Sequence, residues 1–532
     1  VTDATAGAGG GAQAKPAWKP KANPWSIALI VTLAAFMEVL DTTIVNVALP
    51  HIAGSLSASQ DDATWALTSY LVANGIVLPI SGFLSQLLGR KRYFLICIGS
   101  FTVCSFMCGL STSLPELIIF RLLQGFFGGG LQPNQQSIIL DTFEPSQRGR
   151  AFSITAIATI VAPVLGPTLG GYLVDTYTWR WIFLINIPVG LICFLGVLAL
   201  VEDPPWQKSA LAKGQKVSTD YIGIGLITLG LGCLQVFLDR GEDDDWTSSH
   251  FIVAMMSLSA IGIAGAVTWL LYTEKPIVNL RVLKDKNFAL GCMSIFIMAF
   301  ILYSSAVLIP QLAQREFGYT ATWAGLVLSP GAALIIFLIP IMGKLLPIVQ
   351  TRFIIAAGFF VMGFALIYSH NLTPTLDFKT LASMRMAQTI ALAFLFVPIS
   401  TISYVTVPKE LNGDAAALYT MFRNVAGSIG ISLATSLITT RTQVHLSYLA
   451  QYMTPLYEPF NETISQLRNG LMMNGTSPDL ATPLMFNNFN MQAAILAYED
   501  VFSTCSIMAF CAVPMCLLFS PIKASRGKGG GH

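Results

Sequence analysis

Charge is what this chain has least of. Only 11% of its 532 residues are Asp, Glu, Lys or Arg, while 54% are hydrophobic and the mean hydropathy is +0.65. Soluble domains carry roughly a quarter charged residues, so a soluble globular protein is excluded. All nine cysteines lie inside apolar runs and none pairs up in a loop, which predicts neither a disulfide nor a metal site. The five histidines fall in loops or at the terminus, and no His/Asp or Ser/His cluster gathers as an integral membrane enzyme would require. No G-x-x-x-x-G-K-[ST] string occurs, so no P-loop harnesses ATP, and no cofactor is implied. The net charge of +2 comes from Lys and Arg scattered over short loops, not gathered on one face, which excludes a nucleic-acid partner. No short apolar region with a cleavage site precedes the first long apolar run, which is expected to stay as an anchor.

Long apolar runs are present in abundance. Stretches of spanning length recur at 26–49, 64–86, 93–112, 115–139, 151–173, 181–201, 219–238, 251–271, 287–310, 322–343, 352–369, 384–406, 412–440 and 500–520. These predict fourteen transmembrane helices in an all-α membrane protein. Lys and Arg divide 21 to 6 between the two sets of connecting segments, which places both termini in the cytoplasm. Residues 1–25 read as a disordered cytoplasmic tail, 202–218 as a cytoplasmic linker and 521–532 as a flexible tail. The segment 441–498 reads as one long outer loop, expected to form short helices on the outer face.

An internal repeat is visible. Gly82-Phe-Leu-Ser-Gln-Leu-Leu-Gly-Arg-Lys is echoed by the string beginning at Gly343, Arg121-x-x-Gln124 by Arg385-x-x-Gln388, and Gly166 by Gly427. Near-equal offsets of 261, 264 and 261 residues indicate two parallel six-helix halves, 26–201 and 273–520, with the helices of 219–272 as an added pair. Parallel repeats of this kind are the plan of major facilitator transporters.

Against this apolar background the buried charges stand out. Glu38 and Asp41 sit inside the first span, three positions apart and therefore on one helix face. Each charge near the bilayer centre costs roughly 2.5–3.5 kcal/mol, so it needs a partner or a wet cavity. Arg121 in the fourth span is the natural counter-charge, and protonating Asp41 would free it. Gln124, Gln132 and Gln135 continue a polar stripe from Arg121 that reads as a cavity wall. Arg423 has the same burial problem in the thirteenth span, whereas Arg385 near a span end reads as snorkelling. Phe36, Phe126, Phe127, Tyr303 and Phe422 would suit bulky amphipathic ligands by stacking and cation–π contact.

The strings LDTTIVNVALP (40–50), GFLSQLLGRKR (82–92), RLLQGFFGG (121–129), GPTLGG (166–171), WRWIFLINIPVG (179–190) and LDRGEDDDW (238–246) resemble the EmrB/QacA drug:proton antiporters. These are the fourteen-helix branch of the major facilitator superfamily, and the likeness to EmrB-type members runs from about 26 to 520. The resemblance implies a proton-coupled exporter, with Asp41, Glu38 and Arg121 coupling protons. It also implies that Gly166, Pro167, Gly170 and Gly171 form the antiporter motif, and that Gly82, Gly89, Arg90 and Lys91 latch one conformation. Relatives commonly lack an acid at Glu38, which points to substrate choice there. They carry an acid where this chain has Gln86, so the latch must find another partner. EmrB-type pumps work in the inner membrane with a periplasmic adaptor and an outer-membrane channel, which the outer loop would meet. A dedicated exporter of one metabolite or siderophore, and a non-transporting scaffold or sensor, stand as alternatives.

Overall fold

The computed structural model describes residues 20–203 and 220–521, except 275, 347, 375, 455, 474 and 475. The expected linker at 202–218 and the tail at 521–532 lie almost wholly outside the described residues, as do residues 1–19 of the expected tail at 1–25, whose last two residues already belong to the first helix.

The described chain is helical. The first half holds α1 (Pro24–Ser55), α2 (Gln60–Leu88), α3 (Arg90–Leu110), α4 (Leu114–Gly128), α5 (Leu131–Thr142), α6 (Pro145–Thr176), α7 (Trp181–Leu184) and α8 (Asn186–Leu200). A hairpin follows, α9 (Tyr221–Arg240) and α10 (His250–Tyr272). The second half holds α11 (Lys286–Arg315), α12 (Ala321–Leu345), α13 (Thr351–Ser369), α14 (Phe378–Ser403), α15 (Asn412–Ala450), α16 (Glu458–Met473) and α17 (Ala481–Cys516). Among the described residues, fourteen segments are long and apolar enough to cross a membrane, with α4–α5 and α7–α8 each making one span.

The helices break where sequence says they must. Gly129 and Gly130 separate α4 from α5, and Pro163 with Pro167 interrupts the hydrogen-bond ladder of α6. Asn23, Ser59, Asp220, Asp285, Thr320 and Asp377 cap helix starts with side-chain oxygens.

The two halves repeat one packing scheme. In the first, α1 lies against α6; in the second, α11 lies against α15. Both contacts use the small residues of the repeat. A Cβ on Gly166 would meet the Thr43 side chain, and one on Gly427 would sit 2.7 Å from the Tyr303 ring. Between the halves, α6 packs on α12 and α2 on α15, the two seams that a pseudo-twofold axis demands. The inserted hairpin is fixed to α2: Thr68 bonds Asp239, and Arg240 Nη1 donates to Thr64 Oγ1 at 2.6 Å.

The segment 441–498 differs from expectation. Helix α15 continues to Ala450 and α17 begins at Ala481, so much of the presumed loop is a continuation of the two long helices. Between them, among the described residues, lie α16, whose surface is largely exposed and which buries Ile464 alone, and a single 3-10 turn, Pro478–Leu480. Extending an existing helix adds hydrogen bonds without the cost of a new nucleus, which favours continuation over separate short helices.

Helices α2 and α4 meet at Gly125, where a Cβ would run into the Tyr70 backbone carbonyl. Gly125→Ala is therefore expected to lower stability by about 1–3 kcal/mol. Thermal unfolding in detergent should show a clear downward shift, and Gly54→Ala, which faces open space, should not.

Candidate functional site

The polar interior starts from α1. Asp41 and Glu38 are both buried, one turn apart, yet they have separate partners. Asp41 Oδ2 pairs with Arg121 Nη1 at 2.6 Å. Its Oδ1 accepts from Gln124 Nε2 at 3.0 Å and from Asn186 Nδ2 at 2.7 Å. Arg121 is held from the other side as well: Nε donates to the Ala66 carbonyl at 3.1 Å and Nη1 to Gln124 Oε1 at 3.0 Å. Its guanidinium lies 4.1 Å from the centre of the Tyr70 ring. All these partners belong to the first half. A buried ion pair offsets its desolvation only when the remaining lone pairs and protons are satisfied, and this one nearly meets that condition.

Glu38 reaches the other way. Its Oε1 accepts from Asn74 Nδ2 at 2.9 Å and from the Tyr70 hydroxyl at 3.5 Å, and its Oε2 from Gln132 Nε2. Gln132 Oε1 in turn accepts from Arg423 Nη2 on α15. An acid of the first half is thus joined to a guanidinium of the second through one amide. Tyr70 touches both acid systems, its hydroxyl toward Glu38 and its ring under Arg121.

The second half carries the corresponding site without the acid. Arg385 Nη1 donates to Gln388 Oε1 at 3.2 Å, as Arg121 does to Gln124, but its other partner is Ser305 Oγ at 2.7 Å. Ser305 stands 264 positions after Asp41, the same offset that separates Arg385 from Arg121. The snorkelling expected of Arg385 is corrected: the residue is 1% exposed and reaches inward.

Other expected residues are distributed unequally. Gln135 clips α5 to α1 and α6 through Thr32 Oγ1 (3.2 Å) and Thr155 Oγ1 (2.7 Å). Phe36, Phe127 and Phe422 are half-buried against apolar clusters, and Tyr303 packs on Gly427. Phe126 does not line the interior. It is 46% exposed and continues the outward stripe of Ile119, Leu122 and Leu123, because helical spacing turns it away from the face of Arg121, Gln124 and Gly125.

At the end of the bundle where α2 turns into α3, the halves are closed upon each other. Gly89 takes φ 86°, a left-handed conformation that suits glycine, and makes the turn. Arg90 pairs with Asp141, and Lys91 Nζ donates to the Leu198 carbonyl at 2.7 Å in the last turn of α8. Gln86 Nε2 donates to Asp414 Oδ1 on α15 at 3.2 Å, so the acid missing from α2 is supplied by the opposite half. A Cβ on Gly82 would lie 3.0 Å from Asp414 Oδ1 and 3.1 Å from the Gly413 carbonyl. Asn412 to Asp141 (3.2 Å) and Tyr404 to Gln136 (2.8 Å) close the same end.

Sequence reasoning missed Tyr70, Asn74, Asn186, Asp141 and Asp414. Asn74 and Asn186 each interrupt an apolar run, a signal of the kind that exposed Glu38, though a neutral amide costs far less to bury. Among the described residues no group of three or more His, Cys, Asp or Glu could hold a metal ion.

Removing one member of the Asp41–Arg121 pair leaves a buried charge without compensation, at a cost of about 3–5 kcal/mol. A double-mutant cycle of Asp41→Asn and Arg121→Gln, read by thermal unfolding in detergent, should show the double variant more stable than the sum of the single losses requires.

The family model described as Major Facilitator Superfamily matches residues 31–431. The multidrug export protein EmrB of Escherichia coli (strain K12) is 34% identical over 507 residues, covering 95% of this chain and 97% of its own. The fatty acid resistance protein FarB of Neisseria gonorrhoeae is 32% identical over 519 residues, covering 97% and 99%. Among solved structures, the human organic anion transporter MFSD10 (TETRAN) superposes with a TM-score of 0.55 at 12% identity, covering 91% of this chain and 99% of that one, a likeness of fold. The paired six-helix halves, their repeated small-residue contacts and these matches place the chain in the major facilitator superfamily, as an EmrB-type multi-pass membrane transporter and not an enzyme.

Proposed function

We propose that this protein is a proton-coupled multidrug efflux antiporter, exporting hydrophobic and amphipathic toxic compounds across the inner membrane by alternating access. The carrying observation is the buried Asp41–Arg121 pair beside a second acid, Glu38, which is linked through Gln132 to Arg423 of the other half. A carboxyl group linked across the seam, with an ion-paired one a turn away inside the first half, can tie protonation to the relative position of the halves. The similarity to EmrB, a multidrug export protein, and to FarB, a fatty acid resistance protein, supports hydrophobic and amphipathic compounds as the class of cargo.

The excess of Lys and Arg at the end carrying the α2–α3 turn supports cytoplasmic termini. The Gln86–Asp414 contact then serves as the cytoplasmic latch, with Gly82, Gly89, Arg90 and Lys91 shaping it. Gly166, Pro167, Gly170 and Gly171 let α6 approach α1 closely enough to transmit its movement. Phe36, Phe127, Tyr303 and Phe422, beside Gln132 and Arg423, are the side chains that substrate would meet once the seam opens. The extensions of α15 and α17, with α16 between them, supply the periplasmic surface for an adaptor leading to an outer-membrane channel.

One proton moving down a 100 mV potential releases about 2.3 kcal/mol, and about 1.4 kcal/mol sustains a tenfold gradient. The test is export by proteoliposomes under an imposed pH gradient. The wild type should concentrate substrate, whereas Asp41→Asn and Arg121→Ala should equilibrate it while still reaching the membrane. Gradient-driven accumulation in both variants would refute the assignment of the coupling pair, and tolerance of Asp41→Asn is what a scaffold or sensor would show.

A further inference from the structure

We infer that Gln132 is a positioning residue that converts the protonation of Glu38 into loss of a contact between the two halves, by turning its amide around. The inference rests on the proton-coupled reading above and assigns Glu38 to coupling.

The chemistry follows from which atoms can donate. Arg423 has donors only and an ionised carboxylate has acceptors only. An amide between them has one satisfactory orientation, oxygen toward Arg423 and nitrogen toward Glu38, and that is the orientation observed. The oxygen that takes the proton is also determined. Oε1 already accepts from Asn74 Nδ2, which can only donate, with the Tyr70 hydroxyl farther off at 3.5 Å. An incoming proton, drawn from the aqueous phase, therefore forms its O–H bond at Oε2, the oxygen facing Gln132.

That O–H then confronts the amide N–H, donor against donor. Turning the amide restores the hydrogen bond to Glu38 but presents the NH2 group to Arg423, again donor against donor. With that O–H directed at Gln132, no orientation of the amide satisfies both neighbours. The bond lost is the one that spans the seam: Glu38 and Gln132 share one half and cannot separate, whereas Arg423 and the amide NH2 escape their mismatch when the halves part. Deprotonation reverses the sequence. The other charged or titratable groups around Glu38 are Asp41 on α1, Tyr70 on α2, Tyr303 on α11 and Arg423 on α15, with Arg121 behind Tyr70. None of them needs to change its protonation for the amide to turn.

Neither the Asp41–Arg121 pair nor the Gln86–Asp414 contact has this property. The first lies wholly within one half. In the second, the amide donates to an acid without passing the bond on to a cation on the other side among the described contacts.

The experiment reads the distance between the halves directly. Spin labels at Arg92→Cys and Lys344→Cys, both exposed at the end bearing the α2–α3 turn, are measured in the full chain reconstituted in phospholipid vesicles. The exposed native thiol is removed by Cys511→Ser. The wild-type distance distribution should shift on titration from neutral to acid. Gln132→Met, of similar length but unable to relay, should lose that shift. Arg423→Gln should lose it as well, because a glutamine there can accept from the turned amide and keeps the contact in both states. Asn74→Leu, which frees Oε1 to take the proton, should reduce it.

Gradient-driven transport is measured in the same vesicles. A wild type that responds to pH, together with Gln132→Met and Arg423→Gln variants that respond alike, overturns this inference and leaves the proton-coupled reading standing. A wild type with neither a pH-dependent distance nor gradient-driven flux overturns both.

Discussion

A charge in the interior of a membrane protein must be matched, and the matching of Asp41 with Arg121 organises the first half of this molecule. Satisfying the pair draws in Gln124 from α4, Asn186 from α8, the Ala66 carbonyl and Tyr70 ring from α2. Four helices are thereby held in register around one ion pair. The close approach of α4 to α2 at Gly125 brings the Arg121 side chain within reach, so the small residue and the charge are parts of one arrangement. Removing the glycine and removing the acid would damage the same contact from opposite sides.

The two halves repeat in backbone but not in charge. Arg385 and Gln388 reproduce Arg121 and Gln124, and the Gly166 and Gly427 contacts reproduce one another, yet Ser305 replaces Asp41. The first half holds both buried acids of the interior network, Asp41 and Glu38, whereas the second contributes the guanidinium of Arg423. Glu38, Gln132 and Arg423 cross the division between the halves. This asymmetry suits a device in which one bundle changes charge and the other responds.

The closed end shows a further economy of means. Gln86 occupies a position where the resembled family carries an acid, but the acid is present on α15 as Asp414, so donor and acceptor have changed places across the seam. Gly82 leaves room for Asp414, and Arg90 finds Asp141 within its own half. The contact between the halves therefore persists although the local motif is incomplete.

Much of this was legible in the residues themselves. The fourteen spans follow from hydropathy, because a bilayer admits only segments that satisfy their own backbone. The doubling follows from three repeated offsets, and the Asp41–Arg121 pairing from the expense of two unmatched charges. What the linear order could not decide was which neutral groups complete the network. Asn74, Asn186 and Tyr70 are less expensive to bury than a charge, so the signal they leave in an apolar run is weak, and their roles depend on helix rotation. The same rotation sends Phe126 outward while Arg121, five positions earlier, points in. Helices α15 and α17 outrun their apolar stretches because helical continuation needs no lipid. Burial energies acting along the chain determined the elements and their number. Side-chain geometry between elements distant in sequence decided that one acid serves the first bundle and the other reaches the second.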